Sequence, residues 1–153
     1  MSKFIPLSMT NLQAALGVAQ MEELSEFIKR KQKNYKLYKN EFADCKYVKL
    51  IPFREGISSN KWFYSLCIDR NAIRTSMRDI VLMLKEKGIE TRSIWGLINE
   101  QKPYLDYETH KLEKAPYYAD RILNIPSSTC ITVDEIHYVA EEIKKPLEAL
   151  ANG

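Results

Sequence analysis

The chain has 153 residues, of which 45% are hydrophobic and 28% charged, a balance typical of one compact globular domain. Its net charge of +3 is too small to indicate a nucleic-acid-binding protein, and no apolar stretch approaches the ~20 residues of a membrane span. The three cysteines form no CxxC pair, which argues against a disulfide framework or a zinc site. We therefore expect a single domain over residues 1–153, without a secretory signal, in a reducing cytoplasm.

The first predicted element is a long helix. Thr10 is a suitable N-cap, and apolar residues recur from there every three to five positions, without a proline, as far as Phe42. Such a helix extends about 50 Å, which exceeds the diameter of a small domain. Its first third is small or apolar on nearly every face, so we expect Leu12, Leu16 and Ala19 to contact a missing domain or a second subunit. A single buried core helix is the alternative.

The middle of this helix carries a basic run, Lys-Arg-Lys-Gln-Lys, at residues 29–33. A run of this kind is usually a solvated helix face, and that is our prediction for it. A phosphate site is the alternative, because clustered cations can bind an anion.

Two strands are predicted next, at residues 47–51 and 62–68, where aromatic and branched side chains concentrate. Ser76 then caps a helix that Gly88 ends, since glycine commonly follows the last helical residue. A third strand is predicted at residues 89–95.

The last elements are a short helix that starts at Pro116, a strand at residues 121–125 and a final helix. Thr132 and Glu135 form a capping box for this helix, which runs toward Pro146. The order of elements predicts an α+β fold: a small mixed or antiparallel sheet covered by helices, with one long N-terminal helix.

Residues with possible chemistry are sparse. His110 and His137 have no metal-ligand partner at a useful spacing, and we expect both to be exposed. No nucleophile elbow, phosphate-binding loop or metalloprotease motif is present. We therefore predict no catalytic, cofactor-binding or metal-binding residue in this chain by itself. Arg92, beside aromatic residues, is suited to bind a phosphate or carboxylate through two hydrogen bonds, or else pairs with a surface glutamate.

Four stretches carry a family resemblance, in this order: MTNLQAALG with Gln20 at residues 9–20; WFY at 62–64 with Arg70; GIETR at 88–92, leading to QKPY at 101–104; and Ala119 with ILNIPS at 122–127. Together they resemble the C-terminal domain of DegT/StrS-type sugar-nucleotide aminotransferases, enzymes that use pyridoxal phosphate (PLP). The resemblance extends from Met9 to about Leu147.

The resemblance implies the small C-terminal domain of a fold-type I PLP enzyme. In such enzymes a large α/β domain carries the Schiff-base lysine, and active sites form at a homodimer interface. The implied reaction moves an amino group from glutamate to a nucleotide-linked 4-keto-6-deoxy sugar for bacterial surface polysaccharide. The implied substrate-binding residues are Arg92, with Trp95 and Tyr104 as surfaces on which the sugar stacks. PLP belongs to the full-length parent, and none is expected to bind this chain alone.

The chain also departs from the family pattern. The family reaches the first helix through a Gly-aromatic-Asn-Tyr-Arg stretch, whereas here Pro6 replaces the asparagine and Ser8 the arginine. Many members carry a histidine after the Thr-Arg pair, where this chain has Ile-Asn-Glu at residues 98–100.

Two hypotheses follow from these matches and departures. In the first, the chain is the C-terminal domain of an aminotransferase that lacks its large PLP-binding domain, and it is inactive alone. In the second, it is a stand-alone α+β interaction or small-ligand-binding module, whose apolar residues 4–8 close the core.

Overall fold

The computed structural model describes residues 9–152, so the altered segment at residues 4–8 lies outside the described part. The helices of this part are α1 (Asn11–Glu41), α2 (Met77–Glu86), α3 (Lys114–Ala119) and α4 (Val133–Asn152). Its strands are β1 (Val48–Leu50), β2 (Tyr64–Ile68), β3 (Arg92–Ser93) and β4 (Ile122–Ile125). Two short 3₁₀ turns, Ile98–Glu100 and Lys102–Tyr104, lie between β3 and α3. None of these helices is long and apolar enough to cross a membrane.

One antiparallel sheet, in the order β1-β2-β4-β3, organises the fold. β2 and β4 are its central strands, with Leu66 opposite Leu123 and Tyr64 opposite Ile125. Side chains alternate between the two faces of a strand, so Tyr64 and Leu66 share the buried face while Ser65 lies on the other. The α+β prediction is confirmed, and the sheet is antiparallel rather than mixed.

The core lies between one face of this sheet and the helices α1, α2 and α4. Its largest fully buried side chains include Tyr38, Tyr64, Leu66, Ile80, Leu84, Leu123, Ile136, Ile143 and Leu147. Burying one leucine or isoleucine contributes ~1.5–3 kcal/mol, so this layer is the main source of stability. The opposite face of the sheet carries Ser65, Cys67 and Asn124, which are half-buried, and the buried side chain of Ile122.

Helix α1 is anchored at one end only. Thr10 caps it as predicted: its hydroxyl accepts from the Gln13 N–H at 3.3 Å, and Gln13 Oε1 accepts from the Thr10 N–H at 3.0 Å. The second half reaches the core through Tyr38, which is fully buried. In the first half, by contrast, Leu12 is 81% exposed and Leu16 63%. The alternative of a single buried core helix therefore does not describe this half.

The third strand is shorter than the predicted range 89–95. The strand itself is Arg92–Ser93, and the N–H of Ile94 adds one more bond to β4, to the carbonyl of Ile122 at 3.2 Å. The N–H of Ile89 donates to the carbonyl of Leu84 at 3.0 Å, so the start of the segment is still bonded to the end of α2 and cannot join the sheet. Gly88, with φ of +74°, confirms the predicted end of that helix.

The starts of α2 and α3 reflect the hydrogen-bonding needs of a helix's first turn. Ser76 caps α2 as predicted, because its hydroxyl accepts from the Asp79 N–H at 3.1 Å. Helix α3, however, begins at Lys114 rather than at Pro116. The N–H groups of a first turn have no intrahelical partner, so a proline is tolerated anywhere in that turn.

Helix α4 begins as predicted and ends later. The Glu135 N–H donates to Thr132 Oγ1 at 3.2 Å, and the Thr132 N–H donates to Glu135 Oε2 at 2.7 Å, which confirms the capping box. The helix does not stop near Pro146 but continues to Asn152. Pro146 costs the helix one backbone hydrogen-bond donor. Burial of Leu147 in the turn that follows favours continuation of the helix.

Candidate functional site

A groove runs along β3 and the end of β4, and we call it the Arg92 groove. It has a volume of about 250 Å³ and is lined by Phe63, Glu90, Arg92, Ser93, Trp95, Asn124, Ile125, Pro126 and Ser127. The structure thus brings together two of the predicted substrate-binding residues, Arg92 and Trp95. Arg92 Nη2 lies 3.7 Å from Glu90 Oε1, so the predicted alternative, a pair with a surface glutamate, is also present.

That ion pair leaves Arg92 available to a ligand. The side chains of Arg92 and Glu90 are 79% and 82% exposed, and the pair is long. An exposed pair of this kind contributes only ~0–1 kcal/mol, because water screens both charges. An incoming phosphate or carboxylate can therefore replace Glu90 as the partner of the guanidinium at little cost.

The floor of the Arg92 groove is a polar pair on the open sheet face. Asn124 stands opposite Arg92 in the sheet register. The hydroxyl of Ser65 donates to Asn124 Oδ1 at 2.6 Å, which fixes the orientation of the amide. The amide nitrogen has no hydrogen bond within residues 9–152, so it remains a donor toward the groove.

Trp95 also borders a second space, the Trp95–Tyr104 cavity, of about 780 Å³. Its wall includes Tyr107, His110 and Leu112 and is mostly apolar. The structure therefore places Arg92 and Tyr104 in different spaces, with Trp95, 82% exposed, as their shared border. His110 is exposed, as predicted, but its place in this wall was missed, because it lies 15 residues beyond Trp95 in a charged loop.

Lys31 supports the Arg92 groove from behind, so the prediction of a solvated helix face is wrong for this residue, whereas Lys29, Arg30 and Lys33 are exposed as predicted. Its Nζ donates to the carbonyls of Ser127 at 2.7 Å and Trp62 at 2.9 Å, with a longer contact to Lys61 at 3.4 Å. The hydroxyl of Tyr64 donates to the Lys31 carbonyl at 2.7 Å. Lys31 thus joins α1 to the loops that enter β2 and leave β4, and Ser127 is part of the groove wall.

The two lysines of the described part whose pKa is lowered do not fit a Schiff-base role. Burial lowers the pKa of Lys31 and Lys61, the change that a Schiff-base lysine needs. Lys31, however, is bound by carbonyls, and Lys61 Nζ lies 3.9 Å from the ring centroid of Phe53 and 4.7 Å from that of Tyr35. Neither lysine lines the groove or the cavity, so neither is placed to hold PLP in these two spaces.

A metal centre is not supported either. Across residues 9–152, no group of three His, Cys, Asp or Glu side chains is placed to hold a metal ion. His137 is half-exposed and its Nδ1 lies 2.7 Å from Glu41 Oε1, where it joins α4 to the end of α1. The second histidine therefore has a structural contact rather than a place in the candidate site.

The predicted interface residues lie on one stripe of the exposed half of α1. Leu12, Leu16 and Ala19 are spaced four and three residues apart, which places them on one helix face, and all three are exposed. Val18 and Met21, which are 59% and 68% exposed, lie on other faces of the same half of α1, so this half carries apolar surface on more than one side. Exposed apolar surface of this kind favours a covering partner, and the identity of that partner stays a prediction.

Comparison of the sequence with known proteins assigns the chain to a family. The family model described as the DegT/DnrJ/EryC1/StrS aminotransferase family matches residues 5–144. The GDP-perosamine synthase of Escherichia coli O157:H7 is 27% identical over 140 residues, which are 90% of this chain and 36% of that protein. The GDP-4-keto-6-deoxy-D-mannose 3-dehydratase of E. coli O55:H7 is 28% identical over 147 residues, 91% of this chain and 36% of that protein.

A solved structure shares the fold. Helicobacter pylori PseC, an aminotransferase involved in the biosynthesis of pseudoaminic acid, superimposes with a TM-score of 0.86 at 18% identity. The superposition covers 97% of this chain and 40% of PseC. The chain therefore spans roughly a third of the length of the proteins that it matches.

Proposed function

The chain belongs to the DegT/DnrJ/EryC1/StrS aminotransferase family, and on that premise we propose that it is the C-terminal small domain of a PLP-dependent sugar-nucleotide aminotransferase. The proposed parent acts in the cytoplasm and moves an amino group from glutamate to a nucleotide-linked 4-keto-6-deoxy sugar for bacterial surface polysaccharide. The observation that carries the proposal is the family match over residues 5–144 in a chain that spans about a third of its relatives. The names of two relatives support the substrate class, since they are a GDP-perosamine synthase and an enzyme of GDP-4-keto-6-deoxy-D-mannose.

In this proposal the chain contributes to substrate binding, and the PLP chemistry belongs to the rest of the parent. Arg92 binds a phosphate oxygen of the nucleotide, and the free amide nitrogen of Asn124 donates to the same ligand. Trp95 supplies a flat apolar surface between the Arg92 groove and the Trp95–Tyr104 cavity, so one ligand can reach both. Tyr104 lines the far side for the sugar or the base. Hydrogen bonds from a charged donor contribute roughly 1.5–3 kcal/mol each, which suits Arg92 to be the principal contact.

The proposed partners are the large PLP-binding domain and a second copy of the parent. The exposed stripe of Leu12, Leu16 and Ala19 is the proposed contact surface, because it is apolar and lies beyond the core of this chain. A covering partner would bury these side chains and contribute roughly 25 cal/mol for each Å² of apolar surface removed from water.

A chimera tests the proposed function. Residues 9–147 replace the matching C-terminal part of the E. coli GDP-perosamine synthase, and amino transfer from glutamate to the keto sugar nucleotide is measured. We expect transfer by the chimera, a fall of at least about tenfold in kcat/KM in Arg92→Ala, and no change in Arg74→Ala, an exposed arginine outside the groove. A folded chimera that binds PLP but transfers no amino group would count against the proposal.

The stand-alone module remains the second candidate, because the isolated chain already contains the large Trp95–Tyr104 cavity. Calorimetry of the chain alone with a UDP-sugar separates the two candidates. Saturable binding that disappears in Arg92→Ala favours the module. Absence of binding by the chain, together with an active chimera, favours the aminotransferase domain.

A further inference from the structure

A basic cleft lies at the end of the sheet opposite the Arg92 groove. It is formed where β1 and β4 begin and β2 ends, beside α3, and its volume is about 340 Å³. Its functional lining consists of Lys46, Lys49, Cys67, Asp69, Tyr117 and Arg121. None of these residues belongs to the candidate substrate site. The volume is within the range of clefts that accept a small molecule.

Arg121 is held in a fixed orientation in this cleft. Its guanidinium carbon lies 4.0 Å from the ring centroid of Tyr117, and its Nη1 donates to the Tyr117 carbonyl at 2.9 Å. Within residues 9–152 no carboxylate lies within ion-pair distance of it. One side of the guanidinium is therefore anchored, and its other N–H groups remain for an anion. A pre-oriented donor loses little side-chain entropy when it binds.

The other charged groups make the cleft electropositive. Lys46 and Lys49 are exposed and take part in none of the ion pairs of the described residues. Asp69 is the one carboxylate of the lining, and its Oδ1 already accepts from the Asn71 N–H at 2.9 Å. Burial raises the pKa of the Cys67 thiol, so it is neutral near pH 7 and adds no negative charge. Three cations thus face one carboxylate.

We propose that the basic cleft binds the phosphate group of a small phosphorylated molecule. Arg121 donates two parallel hydrogen bonds to the phosphate, and Lys49 and Lys46 neutralise its remaining charge. The excess of two positive charges matches a phosphate monoester, which carries about −1.5 to −2 at neutral pH. The small volume and the modest net charge of the chain exclude a nucleic-acid strand as the occupant. This site goes beyond the proposed function and does not depend on it.

Titration of the ¹⁵N-labelled chain with inorganic phosphate and with glycerol 3-phosphate, at constant ionic strength, tests the proposal. We expect saturable shifts of the Lys49 and Asp69 amides and of the Arg121 side-chain Nε signal. Glycerol 3-phosphate should bind more tightly than phosphate. Equal affinity for the two would overturn the assignment to a phosphorylated molecule, and unsaturable shifts spread over the chain would overturn the site itself.

Variants distinguish specific binding of phosphate in the cleft from general electrostatic attraction to the surface of the chain. Arg121→Gln should raise the apparent dissociation constant at least about tenfold, and Arg121→Lys, which keeps the charge but loses the planar fork, should raise it by about threefold. Arg54→Gln removes an exposed cation outside the cleft and should change nothing. Lys49→Gln provides an independent test if Arg121→Gln does not fold. Equal weakening in Arg54→Gln and the cleft variants would refute the proposal.

Discussion

Replacing Lys31 with methionine tests whether one half-buried ammonium holds the Arg92 groove together. Methionine preserves most of the apolar stem of the lysine and removes its three donors. The change removes one link between α1 and the loops before β2 and after β4, because the carbonyls of Trp62 and Ser127 lose their common partner. We therefore expect lower stability and a disturbed groove wall from a single substitution on a helix outside the groove.

The expected magnitude follows from the contacts. A hydrogen bond to a charged group contributes about 1.5–3 kcal/mol. Two of the contacts are short, at 2.7 and 2.9 Å, and the third, at 3.4 Å, is weak. Water can reach part of this site and satisfy some of the carbonyls, so the lower end of the range applies. The expected loss is about 2–3 kcal/mol, which lowers the Tm of a chain of this size by roughly 4–12 °C.

Urea unfolding followed by circular dichroism measures the loss, with Lys33→Met as the matched control. Lys33 is exposed on the same helix and belongs to the same basic run. Its replacement should change the free energy of unfolding by less than about 0.5 kcal/mol. In Lys31→Met, the amide signals of Trp62 and Ser127 should also shift. A loss no larger than that of the control would refute the assignment of Lys31 as a structural contact.

Three further predictions concern the core and the helix ends. Partial burial raises the pKa of Glu41, but hydrogen bonds from Lys144 and His137 outweigh this and hold the pKa below its ordinary value of 4.5. The carboxylate therefore stabilises the fold above pH 4.5 and loses this contribution as the pH falls through the folded pKa. Glu41→Gln should accordingly lower the urea midpoint at about pH 7, and the difference from the unsubstituted chain should shrink steadily as the pH is lowered below 4.5. The Tyr38 hydroxyl is buried without a hydrogen-bond partner in the described part, so Tyr38→Phe should raise the free energy of unfolding by about 1 kcal/mol, and a loss of stability would contradict this. Thr132→Ala removes a helix cap and should cost about 1 kcal/mol in the same assay, whereas Thr132→Ser should cost almost nothing.

Local chemistry made three of the four helix starts predictable. Thr10, Ser76 and Thr132 each cap a helix through a hydrogen bond to a residue three positions later, and such short-range signals are visible in the sequence. The order of helices and strands could also be predicted from local sequence patterns, and that order indicated the fold class. The extent of the third strand could not, because it depends on a bond between Ile89 and the end of α2 rather than on the β-forming tendency of its residues.

The candidate site was only partly predictable, because its parts meet through long-range contacts. Arg92 and Trp95 are three residues apart, and the structure places both in one groove. The structural role of Lys31 could not be predicted from the basic run in which it lies, because the carbonyls that bind it are 30 to 96 residues away in the chain. His110 was missed for a similar reason, because a long loop brings it to the wall that Tyr104 shares.

The two outer strands of the sheet limit how the chain associates. β1 has three residues with exposed Lys49 at its centre, and β3 has only two, one of them Arg92. Long, uncharged edges recruit strands from other molecules and lead to fibrils, whereas short and charged edges resist this. If the chain associates through the exposed apolar side chains of α1, we therefore expect reversible association without a shared β-sheet. Thioflavin fluorescence should then stay at background even in concentrated samples.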